Sequence, residues 1–349
     1  MKKISVHLVS WNGAKYIPHL FDSLRKQTFT DWQLIILDNN SEDGTVERIE
    51  RELVHFPIEH RFMKAKENTG FAGGHNRLYA GTKTPYILPL NQDMYLAPDV
   101  LEKLATFMDI HSQAAVVSPR LMRWDFQDIE KVGLEKSFSS SIDSFGLEIW
   151  RSGRVIEKDA QAPWEEVKKR IGDVRDVEVF GVSGTFPLLR RTALEKVALP
   201  DGTFFDASYH AYKEDVDLAF RLRQAGCSAY ICTDAVAYHD RSAARPKQLD
   251  DVTASKNKKA QSEWVKYHSY KNHLMTMYKN YTWQNTVLDF PWICWYEMKK
   301  FVWYVLFDRK ILKGLGEIWN MRNDLYKKRQ SIAAQRTVNW KYTRSWYVQ

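Results

Sequence analysis

Residues 4–45, ISVHLVSWNGAKYIPHLFDSLRKQTFTDWQLIILDNNSEDGT, predict a strand, a helix and a second strand. Ile4–Val9 and Trp32–Leu37 are short apolar runs, and Tyr16–Gln27 between them carries apolar residues at helical spacing. Strands that alternate with helices in this way predict an α/β fold with a mostly parallel, doubly wound sheet and helices on both faces. The alternation continues with a helix over Thr45–Val54, a strand over Arg61–Lys64, a helix over Phe71–Ala80 and a strand over Pro85–Leu90.

Polar residues follow three of these strands at the point where each strand ends. The three segments are Ser10–Gly13, Asp38–Asp43 and Asn91–Asp93. Ligands of open α/β sheets bind beyond the carboxyl ends of the strands. The segments therefore predict a ligand site along this edge of the sheet.

The chain after residue 120 is less regular. Arg123–Asp176 is polar and rich in Ser and Gly, which predicts loops and hairpins over the site. Regular structure is expected again over Val177–Leu189, and a helix is expected over Asp215–Ala225. Cys227–Ala237 predicts a last strand that leads to His239.

The overall composition is that of a globular protein. Of the 349 residues, 44% are hydrophobic and 27% are charged, so general disorder is not expected. The three cysteines form no CxxC pair and are too few for a disulfide framework or a cysteine-based zinc site. The apolar run near residue 4 is too short for a signal peptide. We therefore expect a cytoplasmic protein in a reducing compartment.

Two loops that precede predicted helices are candidates for nucleotide binding. Asp38–Thr45 could hydrogen-bond a nucleobase and a ribose, although the same residue types form ordinary turns and helix caps. Glu67–Asn76 is rich in glycine, so its backbone N–H groups could approach phosphates at a helix N-terminus. It matches neither the GxGxxG pattern nor the P-loop pattern, and a plain turn is the alternative.

Four further side chains are candidates for the chemistry. Asp93 at a strand end could hold Mg²⁺ or Mn²⁺, and His239 could supply a second ligand to the same ion. Glu214 and Asp215 open a helix, where a carboxylate can act as a general base. Each also has a structural alternative: a cap for an isolated Asp, a helix-dipole partner for the two acids, and a buried structural role for a lone His.

Seven segments of the sequence, taken in order, resemble the family 2 glycosyltransferases with the GT-A fold. Within that family they are most similar to the bacterial rhamnosyltransferase-type members that build surface polysaccharide. The resemblance covers roughly residues 3–245 and implies transfer of a sugar, with inversion, from a nucleoside diphosphate to a saccharide or lipid-linked saccharide. The first donor that it suggests is dTDP-rhamnose, with UDP- and GDP-hexoses as alternatives. The segments that carry it are SWNG, DNNSEDGT, ENTGFAGGHN, NQD, GVSGTFPLLRRTALEKV, KEDVDLAFRLRQAG and YHDRSA.

The resemblance also implies roles for individual residues. Asp215 would be the catalytic base and Glu214 would bind the acceptor, while Asp93 and His239 would hold Mg²⁺ or Mn²⁺. Asn91 stands where the family's DxD element has its first acid, which weakens the expected metal site. The residues near the nucleotide would be Ser10, Asp38, Asn39, Gly70, Asn76, Asn91 and Asp93, and those near the donor sugar would be Ser183 and Gly184.

The last part of the chain differs in composition from the first 240 residues. From Arg241 onward 21 Lys and Arg stand against 8 Asp and Glu, and eight of the 13 tryptophans lie there. The most apolar run, Phe290–Phe307, is interrupted by charged residues and does not reach the roughly 20 residues that span a bilayer. We expect a glycosyltransferase domain over residues 1–245, a basic, mobile connection around 241–260, and a helical region over 246–349.

Amphipathic helices on an anionic membrane surface suit the composition of this C-terminal region. Packing on the catalytic domain and a homodimer interface are the alternatives, and nucleic-acid binding is not expected because no binding motif accompanies the charge. Peripheral attachment to the inner face of the cell membrane would follow. Two other functions stay open at this point: a nucleotidyltransferase, although Val6–Lys15 lacks a glycine-rich basic loop, and a non-catalytic sugar-nucleotide-binding protein.

Overall fold

The predicted alternation of strands and helices is confirmed in the structure, a computed structural model that describes residues 2–240 and 261–348. The predicted basic connection around residues 241–260, and the domain boundary after residue 245, lie outside the described residues. The elements of the first part are β1 (Ile4–Ser10), α1 (Ile17–Arg25), β2 (Trp32–Asp38), α2 (Thr45–Leu53), β3 (His60–Lys64), α3 (Gly70–Ala80), β4 (Tyr86–Leu90), β5 (Met94–Leu96), α4 (Val100–Ile110) and β6 (Ala114–Trp124).

The next part contains the predicted hairpins, the helix that begins at Glu214 and the last strand. Its elements are α5 (Ile129–Val132), β7 (Phe138–Ser144), β8 (Leu147–Trp150), β9 (Val155–Glu157), α6 (Trp164–Ile171), β10 (Asp176–Val179), β11 (Leu188–Arg190), α7 (Arg191–Lys196), α8 (Glu214–Gln224) and β12 (Ser228–His239). Helix α6 was not expected among the loops; its acids lie in the first turn and its bases in the last, which favours a helix through the helix dipole.

The regular structure expected over Val177–Leu189 is interrupted. A loop over residues 180–187 separates β10 from β11. The loop runs so close to α8 that a Cβ on Gly181 would lie 2.3 Å from the Cβ of Ala219. Only glycine permits this approach, and the approach brings Ser183 and Gly184 beside the start of α8.

The central sheet has the strand order β10-β12-β6-β11-β4-β1-β2-β3. Strands β4, β1, β2 and β3 are parallel, and so are β6 and β12, whereas β11 is antiparallel to both β4 and β6. Strand β5 adds to β12 and β7 to β6, both antiparallel. The carboxyl ends of β1, β2 and β4 therefore lie side by side along one edge.

The sheet is buried on both faces because successive residues of a strand point to opposite sides. In β4, Leu88 packs in the cluster that contains α1 and α4, whereas Ile87 packs in the cluster that contains α8. Fully burying a side chain of this size contributes roughly 1.5–3 kcal/mol. Helix α8 is thus fixed on the second face by its apolar residues, with its first turn at the edge of the sheet.

The C-terminal region packs on this body through buried ion pairs. Its elements are α9 (Glu263–Asn280), α10 (Trp283–Phe307), α11 (Lys313–Asn320), α12 (Arg322–Gln335), α13 (Trp340–Arg344) and β13 (Tyr347–Val348). Lys279 of α9 is fully buried, with its Nζ 2.6 Å from Asp206 and 3.0 Å from Asp217, and Lys328 of α12 lies 2.8 Å from Asp206. Burial opposes ionisation of Asp206, but the two lysines hold its pKa well below the usual value.

Helix α10 lies against the body along one side and leaves many large apolar side chains in solvent. Among the helices of residues 2–240 and 261–348, none combines the length and the apolar character that crossing a bilayer requires. The α10 side chains that are at least two-fifths exposed are Trp283, Val287, Leu288, Phe290, Trp292, Trp295, Met298, Phe301, Val302, Leu306 and Phe307.

Candidate active site

An open cavity lies where the loop over residues 180–187, the start of α8 and the end of β12 meet, and its volume is about 350 Å³. The C-terminal region also contributes to its wall, through Gln261, Val265 and Ser269. The sequence did not indicate that α9 would complete the site. Seven of the predicted site residues line the cavity: Asn91, Asp93, Ser183, Gly184, Glu214, Asp215 and His239.

Asp93 and His239 meet because β5 pairs with β12. The register places His239 opposite Met94, and His239 Nε2 lies 3.4 Å from Asp93 Oδ2. The other ring nitrogen, Nδ1, lies 2.8 Å from Asp143 Oδ2. Burial lowers the pKa of His239, but the carboxylates of Asp93 and Asp143 outweigh burial and raise it to about 10. The contact between His239 and Asp143 was not predicted, because the two residues lie 96 positions apart along the chain.

This pair can hold a divalent cation only when His239 has lost the proton that its raised pKa favours, because histidine binds a metal as the neutral imidazole. A histidine ligand is oriented, and made more basic, when its second nitrogen bonds to a carboxylate, as Asp143 does here. Within the described residues no group of three or more His, Cys, Asp or Glu side chains is arranged to hold a metal. The structure thus brings the two predicted metal ligands, Asp93 and His239, together.

Asp215 lies in the first turn of α8 and is tied to the loop over residues 180–187. Its Oδ2 accepts a hydrogen bond from Gly184 N at 3.1 Å, and its Oδ1 accepts one from Val216 N at 2.7 Å. Burial and the carboxylate of Glu157 raise the pKa of Asp215, whereas Lys213 and the two backbone donors act in the opposite direction. The result is a carboxylate of raised basicity that is held in one orientation at the cavity wall.

Glu214 differs from its neighbour in being deeply buried. The residue is 8% exposed, and its Oε2 has no hydrogen-bond partner among the described residues. Burial and the Asp215 carboxylate raise the pKa of Glu214 to about 8. The pKa values of both carboxyl groups are raised by burial and by neighbouring carboxylates, so this pair favours holding a proton.

A buried polar network behind Asp215 was not predicted. Glu157, from the hairpin of β8 and β9, accepts hydrogen bonds from Ser144 Oγ at 2.5 Å and from Ser183 Oγ at 3.3 Å. Ser183 Oγ also lies 3.1 Å from Thr185 Oγ1. Ser183 therefore lies in the wall of the cavity and is fixed by a carboxylate that itself lines the cavity.

The predicted nucleotide residues at the ends of β1 and β2 form a separate, tightly bonded group. Asp38 accepts hydrogen bonds from Ser10 Oγ at 3.2 Å and from Ser41 Oγ at 2.6 Å. Asn39 uses its whole amide: it donates to Gly70 O and Asn68 Oδ1, and accepts from Thr69 N. The structure thus brings Ser10, Asp38 and Asn39 together at the sheet edge, outside the lining of the cavity.

Gly70 and Asn76 lie at either end of the first two turns of α3. Gly70 has a φ of 74°, and a Cβ there would lie 2.3 Å from the carbonyl oxygen of His210, so glycine is required. The amide of Asn76 bonds to Phe205, with its Nδ2 2.8 Å from Phe205 O and its Oδ1 3.1 Å from Phe205 N. Asn76 therefore faces the protein interior, where it fixes the segment that leads to α8. Asn91, by contrast, faces the cavity beside Asp93.

Comparison with known proteins gives a consistent result. Residues 5–198 match the family model described as Glycosyl transferase family 2. The chain is 24% identical over 273 residues to the uncharacterized glycosyltransferase YfnE of Bacillus subtilis (strain 168), an alignment that covers 72% of this chain and 68% of that protein. It is 28% identical over 114 residues to the poly(ribitol-phosphate) beta-N-acetylglucosaminyltransferase TarS of Staphylococcus aureus (strain Mu50 / ATCC 700699), covering 32% of this chain.

Solved structures agree on the fold. The chain resembles GalNAc-T7, crystallised with UDP, GalNAc and Mn²⁺, with a TM-score of 0.58 at 12% sequence identity, over 80% of this chain and 48% of that one. The chain thus spans about half of that structure and 20% of TarS. The likeness supports a GT-A-like arrangement of the sheet and helices.

Proposed function

The chain belongs to glycosyl transferase family 2, and from this premise we propose that it transfers a sugar from a nucleoside diphosphate to a saccharide or lipid-linked saccharide during synthesis of a surface polysaccharide. The observation that carries the proposal is that Asp93 and His239 line the same cavity as Asp215 and Glu214. TarS, whose name describes sugar transfer to poly(ribitol-phosphate), supports a polymeric acceptor. dTDP-rhamnose is the first donor to test, followed by UDP- and GDP-hexoses.

The reaction is a single displacement with inversion. Asp215 removes the proton from an acceptor hydroxyl as that oxygen attacks the anomeric carbon. The bond between this carbon and the diphosphate oxygen breaks, and its electron pair stays with the diphosphate. The hydrogen bond from Gly184 N orients Asp215 for this step without neutralising it. Burial and Glu157 raise the pKa of Asp215, which makes it a stronger base than an exposed aspartate.

Asp93 and His239, the latter in its neutral form, would hold Mg²⁺ or Mn²⁺, which would supply positive charge to the departing diphosphate. Asp143 orients His239 for this role through its 2.8 Å contact with Nδ1. Asn91 adds an amide, which can bond to a phosphate or sugar oxygen without adding negative charge. The two-residue ligand set predicts that the ion binds weakly to the free protein and more tightly when the nucleotide is present.

Glu214 binds the acceptor. Glu214 lines the cavity with the base, and its buried Oε2 has no partner among the described residues, so a sugar hydroxyl that reached this oxygen would satisfy it. Ser10, Asp38, Asn39 and Gly70 shape the edge of the sheet where the base and ribose lie, and Ser183 and Gly184 lie near the donor sugar.

The proposal is tested by incubating the full chain with Mn²⁺ and a set of nucleotide sugars and measuring release of nucleoside diphosphate. We expect release from one donor class, which EDTA abolishes and Asp93→Asn or His239→Asn reduces. Asp31→Asn, at an exposed surface position, is the matched control and is expected to behave as wild type. Binding of nucleotide sugars without release would favour the non-catalytic alternative, and pyrophosphate release from a nucleoside triphosphate and a sugar phosphate would favour a nucleotidyltransferase.

We also propose that α10 rests on an anionic membrane surface. Its exposed face carries aromatic and aliphatic side chains, and basic residues follow at its end: Arg309, Lys310 and Lys313 are all exposed. Apolar side chains among basic residues suit the boundary between lipid headgroups and acyl chains, where each Lys or Arg near the surface adds about 1 kcal/mol. This location would bring a lipid-linked acceptor to the enzyme.

Flotation with liposomes containing phosphatidylglycerol tests this surface. We expect the full chain to float with these liposomes. The Trp295→Ala, Phe301→Ala double variant should stay in the bottom fraction of the gradient. Ile110→Ala is the matched control, because Ile110 is 72% exposed on α4, on a different helix. Failure of the wild-type chain to float, with dimers in sedimentation analysis that the double variant abolishes, would assign the face to a homodimer instead.

A further inference from the structure

Two aromatic rings border the cavity next to the carboxyl groups of α8. Tyr212 lines the cavity two residues before Glu214 and is 36% exposed. The ring of Trp264, on the first turn of α9, lies 5.6 Å from the Tyr212 ring at an interplanar angle of 67°, and Trp264 is 43% exposed. Val265, the next residue of α9, lines the cavity with Tyr212. Tyr212 at the cavity wall and the Trp264 ring packed against it together form an aromatic edge.

The backbone beneath these rings is held in an unusual conformation. His210, Tyr212 and Lys213 have positive φ values of 61°, 71° and 71°, a region that residues other than glycine rarely adopt. Conformations of this kind cost of order 1–3 kcal/mol each and persist only where surrounding contacts determine them. The segment is therefore fixed for a reason other than its own backbone preference.

Asn272 of α9 supplies the hydrogen bonds that hold the segment over residues 209–212 in this conformation. This residue is fully buried, and its Nδ2 lies 2.9 Å from Tyr209 O, 2.8 Å from Ala211 O and 2.8 Å from Tyr212 O. His268, one turn after Trp264, supports the tryptophan ring at 4.7 Å. One helix of the C-terminal region thus holds both rings of the aromatic edge.

The groups around this edge match the surface of a pyranose ring. A sugar ring has a C–H face that packs on an aromatic ring and hydroxyl groups at its rim that need hydrogen-bond partners. Glu214 lines the cavity together with Tyr212, and its Oε2 is buried without a partner among the described residues. Asp93 and His239, where a diphosphate would bind, line the same cavity from β12 and the end of β4.

Building on the proposed function, we infer that Tyr212 and Trp264 form a platform for the sugar ring of the acceptor, one of whose hydroxyls bonds to Glu214 Oε2. Asn272 is a positioning residue that keeps the platform in line with Asp215. The C-terminal region is then part of the acceptor site, and the ligand class is a pyranose at the end of the growing saccharide.

Saturation-transfer NMR on the full chain tests this inference without sugar transfer. The probes are methyl α- and β-pyranosides of glucose, galactose, N-acetylglucosamine and rhamnose, with the diamagnetic Mg²⁺ and a mixture of UDP, GDP and dTDP. We expect ring protons of at least one glycoside to receive saturation from wild type, and Trp264→Ala to reduce the signal about fivefold, which corresponds to the loss of one aromatic contact. Trp264→Phe should restore most of it.

Trp319→Ala is the matched control, since Trp319 is 69% exposed on α11 and is not part of the aromatic edge. An undiminished signal in Trp264→Ala, or no signal from any glycoside with wild type, would overturn the inference. Because binding is measured, a chain that binds glycosides through Trp264 but releases no nucleoside diphosphate would contradict the proposed function and leave the platform in place.

Discussion

Helices α9 and α10 both belong to the basic, aromatic C-terminal region, but they differ in which side chains they bury. Helix α9 buries its lysines: Lys279 is fully buried between Asp206 and Asp217, and Lys271 is 5% exposed. Helix α10 leaves its tryptophans in solvent, with Trp283 69% and Trp295 59% exposed. The difference follows from the partners that the catalytic part offers, since acids and carbonyls face α9, whereas much of α10 meets nothing in the described chain.

The two helices therefore differ in which properties of the protein they support. Contacts from α9 reach the segment over residues 209–212 and the wall of the cavity, so we expect changes in α9 to alter stability and activity together. Changes on the exposed face of α10 should alter neither, and should affect attachment to a surface alone. Substitutions in the two helices therefore test this contrast.

The largest effect is expected from Lys279→Ala. The substitution removes the cation that Asp206 and Asp217 share, although Lys328 and Arg221 stay beside them, and breaking a buried pair by removing one partner costs up to about 3–5 kcal/mol. Urea denaturation measures the free energy of unfolding, with exposed Lys313→Ala as the control. A loss below about 1 kcal/mol would show that α9 is not anchored by this lysine.

Asn272→Leu should have the next largest effect. It keeps the volume of the side chain but leaves the carbonyl groups of Tyr209, Ala211 and Tyr212 without their donor, at a cost of about 1–3 kcal/mol. We expect the turnover number to fall about tenfold while the KM for the nucleotide sugar changes little, because the nucleotide site lies elsewhere. A rise in that KM with unchanged turnover would contradict a positioning role.

A pH-dependent effect is expected from Glu214→Gln. Because the pKa of Glu214 is raised from 4.5 to about 8 on folding, the neutral residue favours the folded state most below about pH 4.5, and this stability is lost as the pH rises towards 8. The variant lacks the titration, so its Tm relative to wild type should increase from about pH 5 to about pH 8 and then level off. Exposed Glu47→Gln is measured beside it as the control, and a constant difference in Glu214→Gln would refute the raised pKa.

The smallest effect on stability is expected from Trp295→Ala on α10. Trp295 is 59% exposed, and surface substitutions of this kind usually change the free energy of unfolding by no more than about 0.5 kcal/mol. Urea denaturation of this variant and of Lys279→Ala measures the free energy of unfolding of each. A loss of about 2 kcal/mol or more would mean that the exposed face of α10 supports the fold of the monomer and would remove the contrast between the helices.

The sequence was sufficient for the elements whose signals are local. The apolar runs and helical spacing of residues 4–90 predicted each strand and helix found there, because the parallel core of the sheet needs continuous apolar strands. Asp93, Asp215 and His239 could be predicted as neighbours, since strand ends and helix starts of an α/β sheet converge on one edge.

Residues that act through distant contacts could not be predicted. Asp143 reaches His239 across 96 residues, and Asn272 reaches Tyr212 across 60. Neither sits in a motif, and both owe their position to the packing of a hairpin or a helix on the sheet. Asn76 shows the converse case, because a residue in a glycine-rich motif has its amide fully bonded to Phe205.

The central claim is that Asp215 is the base of a sugar transfer. The measurement is the rate of nucleoside diphosphate release by purified Asp215→Asn, with the preferred donor, an acceptor and Mn²⁺, beside wild type and the Asp31→Asn control. Loss of a general base lowers the rate about 10²–10⁴-fold, while nucleotide binding measured by thermal shift should persist. A folded Asp215→Asn that transfers sugar at the wild-type rate would contradict the assignment.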